Sequence, residues 1–284
     1  MKGKKRWILL ALALLLIGLI LWAAWGNNTP VLTDYTVTEE TLPPDFEGFK
    51  IAQISDLHNA SLGQNNKKVL ALLRQGDPDI IAITGDLIDS RNTNIERALS
   101  FVEEALKIAP CYYVPGNHEA RVSSYNILRE GLIRMGVTVL DNKGILLESG
   151  SSSIFLAGVN DPAFETDYLG GDSAGVLTRN LPQPPQEDSY TILLSHRPEL
   201  FSSYVEADMD LVLTGHAHGG QFRLPFLGGL FAPNQGLFPK YTEGVYSEGS
   251  TDMVVSRGLG NSLFPLRINN RPEVVMITLR CEKS

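Results

Sequence analysis

Two histidines stand one residue apart directly after a short apolar run. Residues 211–213 read LVL, and Gly215, His216 and His218 follow. An apolar run that ends near a glycine predicts a buried strand followed by a loop. A loop of small residues can turn both imidazole rings toward one cleft, and imidazole is a common metal ligand. For an isolated pair, a polar loop with two solvent-facing histidines is the alternative.

The remaining histidines have similar surroundings. The chain contains five histidines, and each comes after an apolar run rich in β-formers. In order, the segments are IAQISDLH (51–58), IIAITGDLID (80–89), YYVPGNHE (112–119), TILLSHRPE (191–199) and LVLTGHAH (211–218). Carboxylate, amide and imidazole groups without sulfur form a ligand set suited to Mn²⁺, Fe or Zn²⁺. One such motif is weak evidence, whereas the ordered set is specific.

This order of D-x-H, G-D, G-N-H-E, a single H and G-H-x-H resembles the calcineurin-like metallophosphoesterases over roughly residues 49–279. The resemblance implies an α/β fold, an αββα sandwich of two mixed β-sheets flanked by helices. It also implies two divalent metal ions, with Mn²⁺ expected and Fe or Zn²⁺ as alternatives. The implied ligands are Asp56, His58 and His218 for the first ion, Asn117, His196 and His216 for the second, and Asp86 as the bridge.

The resemblance does not assign His118 as a metal ligand. His118 is implied to be catalytic, by contacting the phosphate or protonating the leaving oxygen, and Asp89 is implied to orient it. The candidate substrate-binding residues are Asn117, His118, Arg197 and Arg257. Taken singly, each of these residues has an ordinary structural alternative as a turn, a helix cap or a surface ion pair.

The reaction implied is hydrolysis of a phosphodiester bond, by in-line attack of a hydroxide that bridges the ions. Within the family, GHAHGGQ (215–221) and VVSRGLGN (254–261) are most similar to membrane-anchored or exported phosphodiesterases, the YaeI- and YkuE-like branch. That branch implies a phosphodiester, pyrophosphate or lipid-linked substrate. A phosphomonoesterase or protein phosphatase, and a non-catalytic scaffold of the same fold, are the alternatives.

Regular elements are predicted between the motifs, so that the motifs lie at the carboxyl ends of strands, where open α/β sheets bind ligands. Helices are expected at 65–74, at 124–135, and after Asn94, which is a candidate cap. Strands are expected at 49–54, 79–83, 112–114, 137–140, 144–148, 153–158, 253–256 and 273–279. Residues 170–189, which include three prolines, are expected to form a surface loop.

The amino-terminal segment predicts a membrane anchor. Lys2, Lys4, Lys5 and Arg6 precede an unbroken apolar run at 7–25. As a helix this run spans about 28 Å, close to the hydrocarbon thickness of a bilayer. Tryptophans at both ends suit the membrane interface, and the basic end predicts a single-pass protein with its catalytic domain on the extracytoplasmic side. A cleaved signal peptide is the alternative.

The expected organisation is a basic stub and anchor at 1–26, a linker and edge strand at 27–48, and a catalytic domain at 49–284. The chain has a net charge of −8 although residues 1–30 carry four basic and no acidic side chains. The remainder is therefore acidic, and no nucleic-acid partner is expected. Cys111 and Cys281 are expected to be free and buried. The sequence does not indicate an oligomeric state.

The segment 222–241 is rich in Phe and Leu and lacks a helical or strand period. A regular element therefore cannot bury all of these side chains. One interpretation is an exposed apolar patch beside the metal cleft, suited to acyl chains or to the membrane interface. The other is a lid that packs over the edge of a sheet.

Overall fold

Two six-stranded β-sheets packed face to face form the body of the protein. The structure, a computed structural model, describes residues 2–166, 171–186, 188–262 and 264–282. The expected boundaries at positions 1 and 284 lie outside these residues, as do Gly170 and Glu187 of the expected 170–189 loop.

The first sheet carries three of the predicted motifs. The strand order is β1 (Val31–Glu39), β16 (Glu273–Cys281), β2 (Lys50–Ile54), β3 (Ile80–Thr84), β4 (Cys111–Val114) and β5 (Thr138–Val139). Strands β2 to β5 run parallel, while β16 is antiparallel to β2 and parallel to the edge strand β1. Cys111 is buried at the start of β4 and Cys281 is partly buried at the end of β16, and both are free.

The second sheet carries the other two motifs. Its four inner strands are parallel, and an antiparallel strand lies at each edge. Its order is β14 (Gly244–Glu248), β15 (Thr251–Val255), β9 (Leu211–Thr214), β8 (Thr191–Leu194), β7 (Ser152–Gly158) and β6 (Lys143–Ser149). Strands buried on both faces read as apolar runs, which is the pattern that marked them in the sequence.

Helices cover the outer face of each sheet. Apolar side chains of α2 (Lys67–Gly76), α3 (Ile95–Leu106) and α5 (Tyr125–Arg134) pack on the first sheet. Between α3 and α5, the one-turn helix α4 (Asn117–Ala120) follows β4. Those of α6 (Ser173–Asn180) and α7 (Phe201–Glu206) pack on the second. A third apolar layer lies between the sheets. The predicted αββα sandwich of two mixed sheets is therefore confirmed.

Helix α3 begins where it was predicted. The Asn94 side chain accepts a hydrogen bond from Arg97 N at 2.9 Å, which satisfies one free N–H of the first turn. The expectation of a loop throughout 170–189 was wrong, because α6 lies inside it. Asp172 caps α6 by accepting from Gly175 N at 2.9 Å, and the prolines follow only after the helix ends.

Helix α1 (Lys2–Asn28) precedes the first strand of the sandwich. Its apolar side chains are exposed from Trp7 to Trp25, and it is the one helix among the described residues that is long and apolar enough to cross a membrane.

The segment 222–241 forms two small hairpins, built from strands of two residues each. Phe226, Leu227, Leu237 and Phe238 in this segment are all more than half exposed. These side chains do not pack as a lid. The strands are β10 (Arg223–Leu224), β11 (Gly228–Gly229), β12 (Phe231–Ala232) and β13 (Gly236–Leu237).

Candidate metal centre

All seven predicted ligands meet at one edge of the sandwich, where the carboxyl ends of the parallel strands of both sheets lie. Each follows directly after a buried strand, and each is less than a tenth exposed. The positions are Asp56 and His58 after β2, Asp86 after β3, Asn117 after β4, His196 after β8, and His216 and His218 after β9.

The first group of ligands surrounds a carboxylate oxygen of Asp56. Asp56 Oδ1 lies 3.3 Å from His218 Nε2 and 3.7 Å from His58 Nε2. The Nε2 atoms of His58 and His218 are 3.2 Å apart. Asp56 Oδ1 is buried and accepts no hydrogen bond among the described residues. A buried anionic oxygen without a donor is costly unless a cation compensates for it.

The second group shares Asp86 with the first. Asp86 Oδ2 lies 3.3 Å from His196 Nε2 and 3.5 Å from His58 Nε2. His216 Nδ1 is 3.2 Å from His196 Nε2, which completes the group. One carboxylate oxygen therefore faces both groups, as a bridging ligand must.

The side-chain amide of Asn117 borders the second group. One end of the amide lies 2.8 Å from His216 Nδ1 and 3.2 Å from His196 Nε2, and the other end faces the guanidinium of Arg121. With its nitrogen toward the rings, the amide hydrogen-bonds at both ends. With its oxygen toward the rings, it completes a set of one oxygen and two ring nitrogens, which suits a hard or borderline divalent cation.

In His196 and His216, the ring nitrogen that points away from the second group makes a contact of its own, which leaves the other ring nitrogen available for a metal. His196 Nδ1 is 2.7 Å from the carbonyl oxygen of Thr84, so Nδ1 carries the hydrogen and Nε2 faces the group. His216 Nε2 is 2.9 Å from Asn234 Oδ1, an oxygen that also accepts from Arg197 Nη1, which leaves His216 Nδ1 as the ligand atom. Such outer contacts orient metal-binding histidines in general.

The backbone is strained at most of these positions. Five of the seven ligands are non-glycine residues with φ between 47° and 64°, the left-handed region. This conformation costs roughly 1–2 kcal/mol per residue and is concentrated at functional sites. The strained ligands are Asp56, His58, Asp86, His216 and His218.

Burial and charge oppose each other in the centre. Burial alone would raise the pKa of Asp86, but the neighbouring His196 holds it well below its usual range. Burial opposes the charged form of His196, yet the Asp86 carboxylate raises the pKa of His196 to about 10. Burial lowers the pKa of His218 to about 3, despite the nearby Asp56. The centre therefore holds ionised carboxylates that attract positive charge strongly.

His118 lies beside the two groups and lines a cleft of about 140 Å³ that opens onto them. The backbone N–H of Ser90 donates to His118 Nδ1 at 3.0 Å. An N–H can only donate, so in the neutral ring the hydrogen lies on Nε2. Burial lowers the pKa of His118 to about 4, which keeps the ring neutral at neutral pH. His118 can therefore offer an Nε2–H to a ligand in the cleft.

Asp89 does not form a hydrogen bond to His118. Asp89 Oδ1 lies 3.6 Å from His118 Nδ1, and Ser90 N–H occupies that nitrogen. The carboxylate instead accepts from Arg91 Nε at 3.0 Å and from Arg91 Nη2 at 2.7 Å. Arg91 lines the cleft, so the effect of Asp89 there is to position the Arg91 guanidinium.

The two arginines predicted to bind substrate lie elsewhere. Arg197 is buried against Asp161, with its Nη2 donating to Asp161 Oδ1 at 2.8 Å, and its Nη1 donates to Asn234 Oδ1 at 2.8 Å. Arg197 therefore holds the Asn234 side chain that orients His216, and it does not line the cleft. Arg257 pairs with Glu243 and Glu273 and lines a different cavity.

Glu119 is a site residue that the sequence interpretation missed. This buried carboxylate accepts from Asp86 N and Gly116 N at 2.8 Å and from Ile88 N at 3.1 Å. It thereby fixes the loop after β3 against the loop after β4. Its place in the GNHE motif was the available clue. Arg91 and Arg121, which line the cleft, were also missed.

Gly116 explains how tightly the two loops approach each other. A Cβ at this position would overlap the Asp86 carboxylate and lie 2.8 Å from Asp86 N. Only glycine leaves the bridging carboxylate in place at this contact.

Comparison with known proteins agrees with this geometry. The family model described as calcineurin-like phosphoesterase matches residues 49–220, a range that includes all seven ligands. YkuE of Bacillus subtilis (strain 168), named a metallophosphoesterase, is 33% identical over 258 residues, covering 87% of this chain and 85% of YkuE.

Two further relatives match most of the chain. YaeI of Escherichia coli (strain K12), named a phosphodiesterase, is 29% identical over 238 residues, covering 81% of this chain and 82% of YaeI. A transmembrane protein with metallophosphoesterase domain from Danio rerio is 27% identical over 287 residues, covering 98% of this chain and 64% of that protein. The motif resemblance is confirmed, and the chain belongs to the calcineurin-like phosphoesterase family.

Proposed function

We propose that this protein is a dinuclear metal-dependent phosphodiesterase held at the outer face of a membrane. The observation that carries the proposal is the position of Asp86, whose Oδ2 lies 3.5 Å from His58 Nε2 and 3.3 Å from His196 Nε2. Two ligand groups that share one carboxylate suit a pair of ions. Mn²⁺ is the proposed metal, with Fe or Zn²⁺ as alternatives.

The residues of the cleft have distinct parts in this reaction. When bound, two divalent cations would lower the pKa of a water molecule and offset charge on the phosphoryl oxygens. His118, neutral and with its hydrogen on Nε2, would donate a hydrogen bond to the leaving oxygen. Arg91 and Arg121 would attract the phosphate to the cleft.

A diester fits the charge of the cleft better than a monoester. Arg91 is already paired with Asp89 through two hydrogen bonds, which reduces the positive charge offered to a substrate. A diester carries one negative charge, whereas a monoester carries close to two at neutral pH. The name of YaeI, a phosphodiesterase, supports the same choice.

The apolar segment 222–241 supports a lipid-linked substrate. Its side chains Phe226 and Phe238 are exposed, while Phe231 in the same segment lines the metal cleft. The ring of Phe222 lies 5.7 Å from that of Phe264, measured between ring centres, which joins this segment to another exposed apolar side chain. We propose that this patch rests in the membrane interface and presents lipid-linked phosphodiesters or pyrophosphates to the cleft.

Helix α1 would hold the protein in that membrane. Its exposed apolar surface and its basic amino-terminal end support a single span with the cleft on the extracytoplasmic side. The word transmembrane in the name of the Danio rerio relative supports the anchor.

Replacing Asp86 with Asn tests the shared ligand. We expect about two equivalents of Mn²⁺ in the wild-type protein and fewer than one in Asp86→Asn, measured by elemental mass spectrometry. Diesterase activity should fall by more than about 100-fold, because even outer partners of metal ligands contribute about 10- to 100-fold. Asp77→Asn is the matched control, since Asp77 is exposed and its left-handed backbone suits asparagine. Full metal content and activity in Asp86→Asn would contradict the bridging role.

Substrate preference separates a phosphodiesterase from the alternatives. With Mn²⁺, kcat/KM for bis-p-nitrophenyl phosphate should exceed that for p-nitrophenyl phosphate by at least about tenfold, or ~1.4 kcal/mol of transition-state stabilisation. Absorbance of released nitrophenolate measures both reactions, and Asp86→Asn provides the blank. A preference for the monoester would indicate a phosphomonoesterase. Hydrolysis of neither ester would indicate a scaffold.

Replacing exposed aromatic side chains tests the patch. In Phe226→Ser/Phe238→Ser, we expect KM for a lipid-linked pyrophosphate in phosphatidylcholine vesicles to rise at least about tenfold. Burial of one large apolar side chain contributes about 1.5–3 kcal/mol, and this variant lacks two such side chains. Hydrolysis of the soluble diester should be unchanged. Ile127→Ser on α5, also exposed, is the control. Equal losses on both substrates would rule out the patch.

A further inference from the structure

A second cavity lies where α1 meets the catalytic body. Its volume is about 320 Å³, and it shares no lining residue with the metal cleft. One wall is the carboxyl end of α1 and the other is the loop before β16. The residues that matter here are Trp22, Trp25, Arg257, Arg267 and Arg271.

The helix end and the body hold this cavity open together. Asn27 Nδ2 donates to the Arg267 carbonyl at 2.8 Å, and Arg267 N donates back to Asn27 Oδ1 at 2.8 Å. Arg271 Nε donates to the Thr29 carbonyl at 2.8 Å. The Arg271 guanidinium also lies over the Trp25 ring, 4.7 Å from its centre. The walls are therefore fixed relative to each other by contacts on both sides.

The cavity carries positive charge that the surrounding residues do not cancel. Arg257 pairs with Glu243 and Glu273. Arg267 and Arg271 form no ion pair with any carboxylate in the part of the chain that the structure describes. Arg267 donates instead to backbone carbonyls, that of Gly260 at 3.1 Å and that of Arg257 at 2.8 Å. Two guanidinium groups thus remain without an anionic partner.

The position of the cavity along α1 indicates where an anionic partner for these two arginines would come from. Trp22 and Trp25 lie in the last turns of the apolar helix, and tryptophan at such a place sits at the headgroup level of a bilayer. Arginine at this depth pairs with phosphate, and the indole rings suit the glycerol and first acyl carbons. Both features match a glycerophospholipid, whereas a free phosphate would use only the arginines.

We propose that this cavity binds the phosphate headgroup of an anionic phospholipid and so fixes the catalytic body against the membrane. The proposal rests on the membrane placement of α1 proposed above. The Nη2 of Arg267 also lies 3.3 Å from His218 Nδ1. Arg267 therefore both lines the cavity and contacts a ligand of the candidate metal centre.

Tryptophan fluorescence can test this proposal, because all three tryptophans of the chain lie in α1. The full chain is prepared with Trp7→Phe, which leaves Trp22 and Trp25, and is placed in phosphatidylcholine vesicles. A small fraction of brominated phosphatidylglycerol or brominated phosphatidylcholine is then added as quencher. Emission is normalised to that in vesicles without bromine.

We expect brominated phosphatidylglycerol to quench more strongly than brominated phosphatidylcholine at the same fraction. Arg271→Gln should raise the fraction needed for half-quenching about fivefold, the factor that one basic side chain contributes at an anionic membrane surface. Arg271→Lys should retain most of the effect. Arg74→Gln, at an exposed arginine on α2, should not alter it.

Four results would overturn the proposal, for three different reasons. Equal quenching by the two lipids, or an unchanged response in Arg271→Gln, would exclude the headgroup site while leaving α1 in the membrane. Quenching by neither lipid would exclude the membrane placement itself. Reversal of the extra quenching by inorganic phosphate alone would assign the cavity to a soluble anion.

Discussion

Buried negative charge at the edge of the sandwich is the constraint on which the site depends. Asp56 and Asp86 are both buried among imidazole rings, and Asp56 Oδ1 accepts no hydrogen bond from the described residues. Such a group of like charges is unfavourable in a protein interior unless cations or tightly held donors compensate for it. The amide of Asn117 lies beside the same rings, 2.8 Å from His216 Nδ1, where its oxygen can serve as a further ligand. A pair of divalent ions meets all of these demands at once.

The rest of the fold keeps the ligands close together despite the free-energy cost of burying their charges. Parallel strands of both sheets end at one edge, so loops from two sheets can meet there. Left-handed backbone at five ligands turns their side chains into the same space, and Glu119 and Gly116 fix two of the loops together. The apolar sandwich supplies the stability that allows strain at the site.

The sequence was sufficient for the architecture and for the convergence of the ligands, because each motif directly follows an apolar strand. It was insufficient for contacts made across the fold. The partner of His118 Nδ1 is a backbone N–H of Ser90, and no side-chain motif records such a donor. Arg197 and Arg257 lie close to motifs in sequence but face Asp161 and Glu273. Helix α6 was missed because the prolines that follow it dominated the pattern.

Arg267 links helix α1 to the candidate metal centre, since it contacts both Asn27 and His218. The central claim remains the paired cation site. Anomalous diffraction at the manganese edge, from crystals grown with Mn²⁺, tests it most directly. Two anomalous peaks roughly 3.5–4 Å apart, on either side of the Asp86 carboxylate, are predicted. A single peak, or peaks remote from Asp86, would contradict the account.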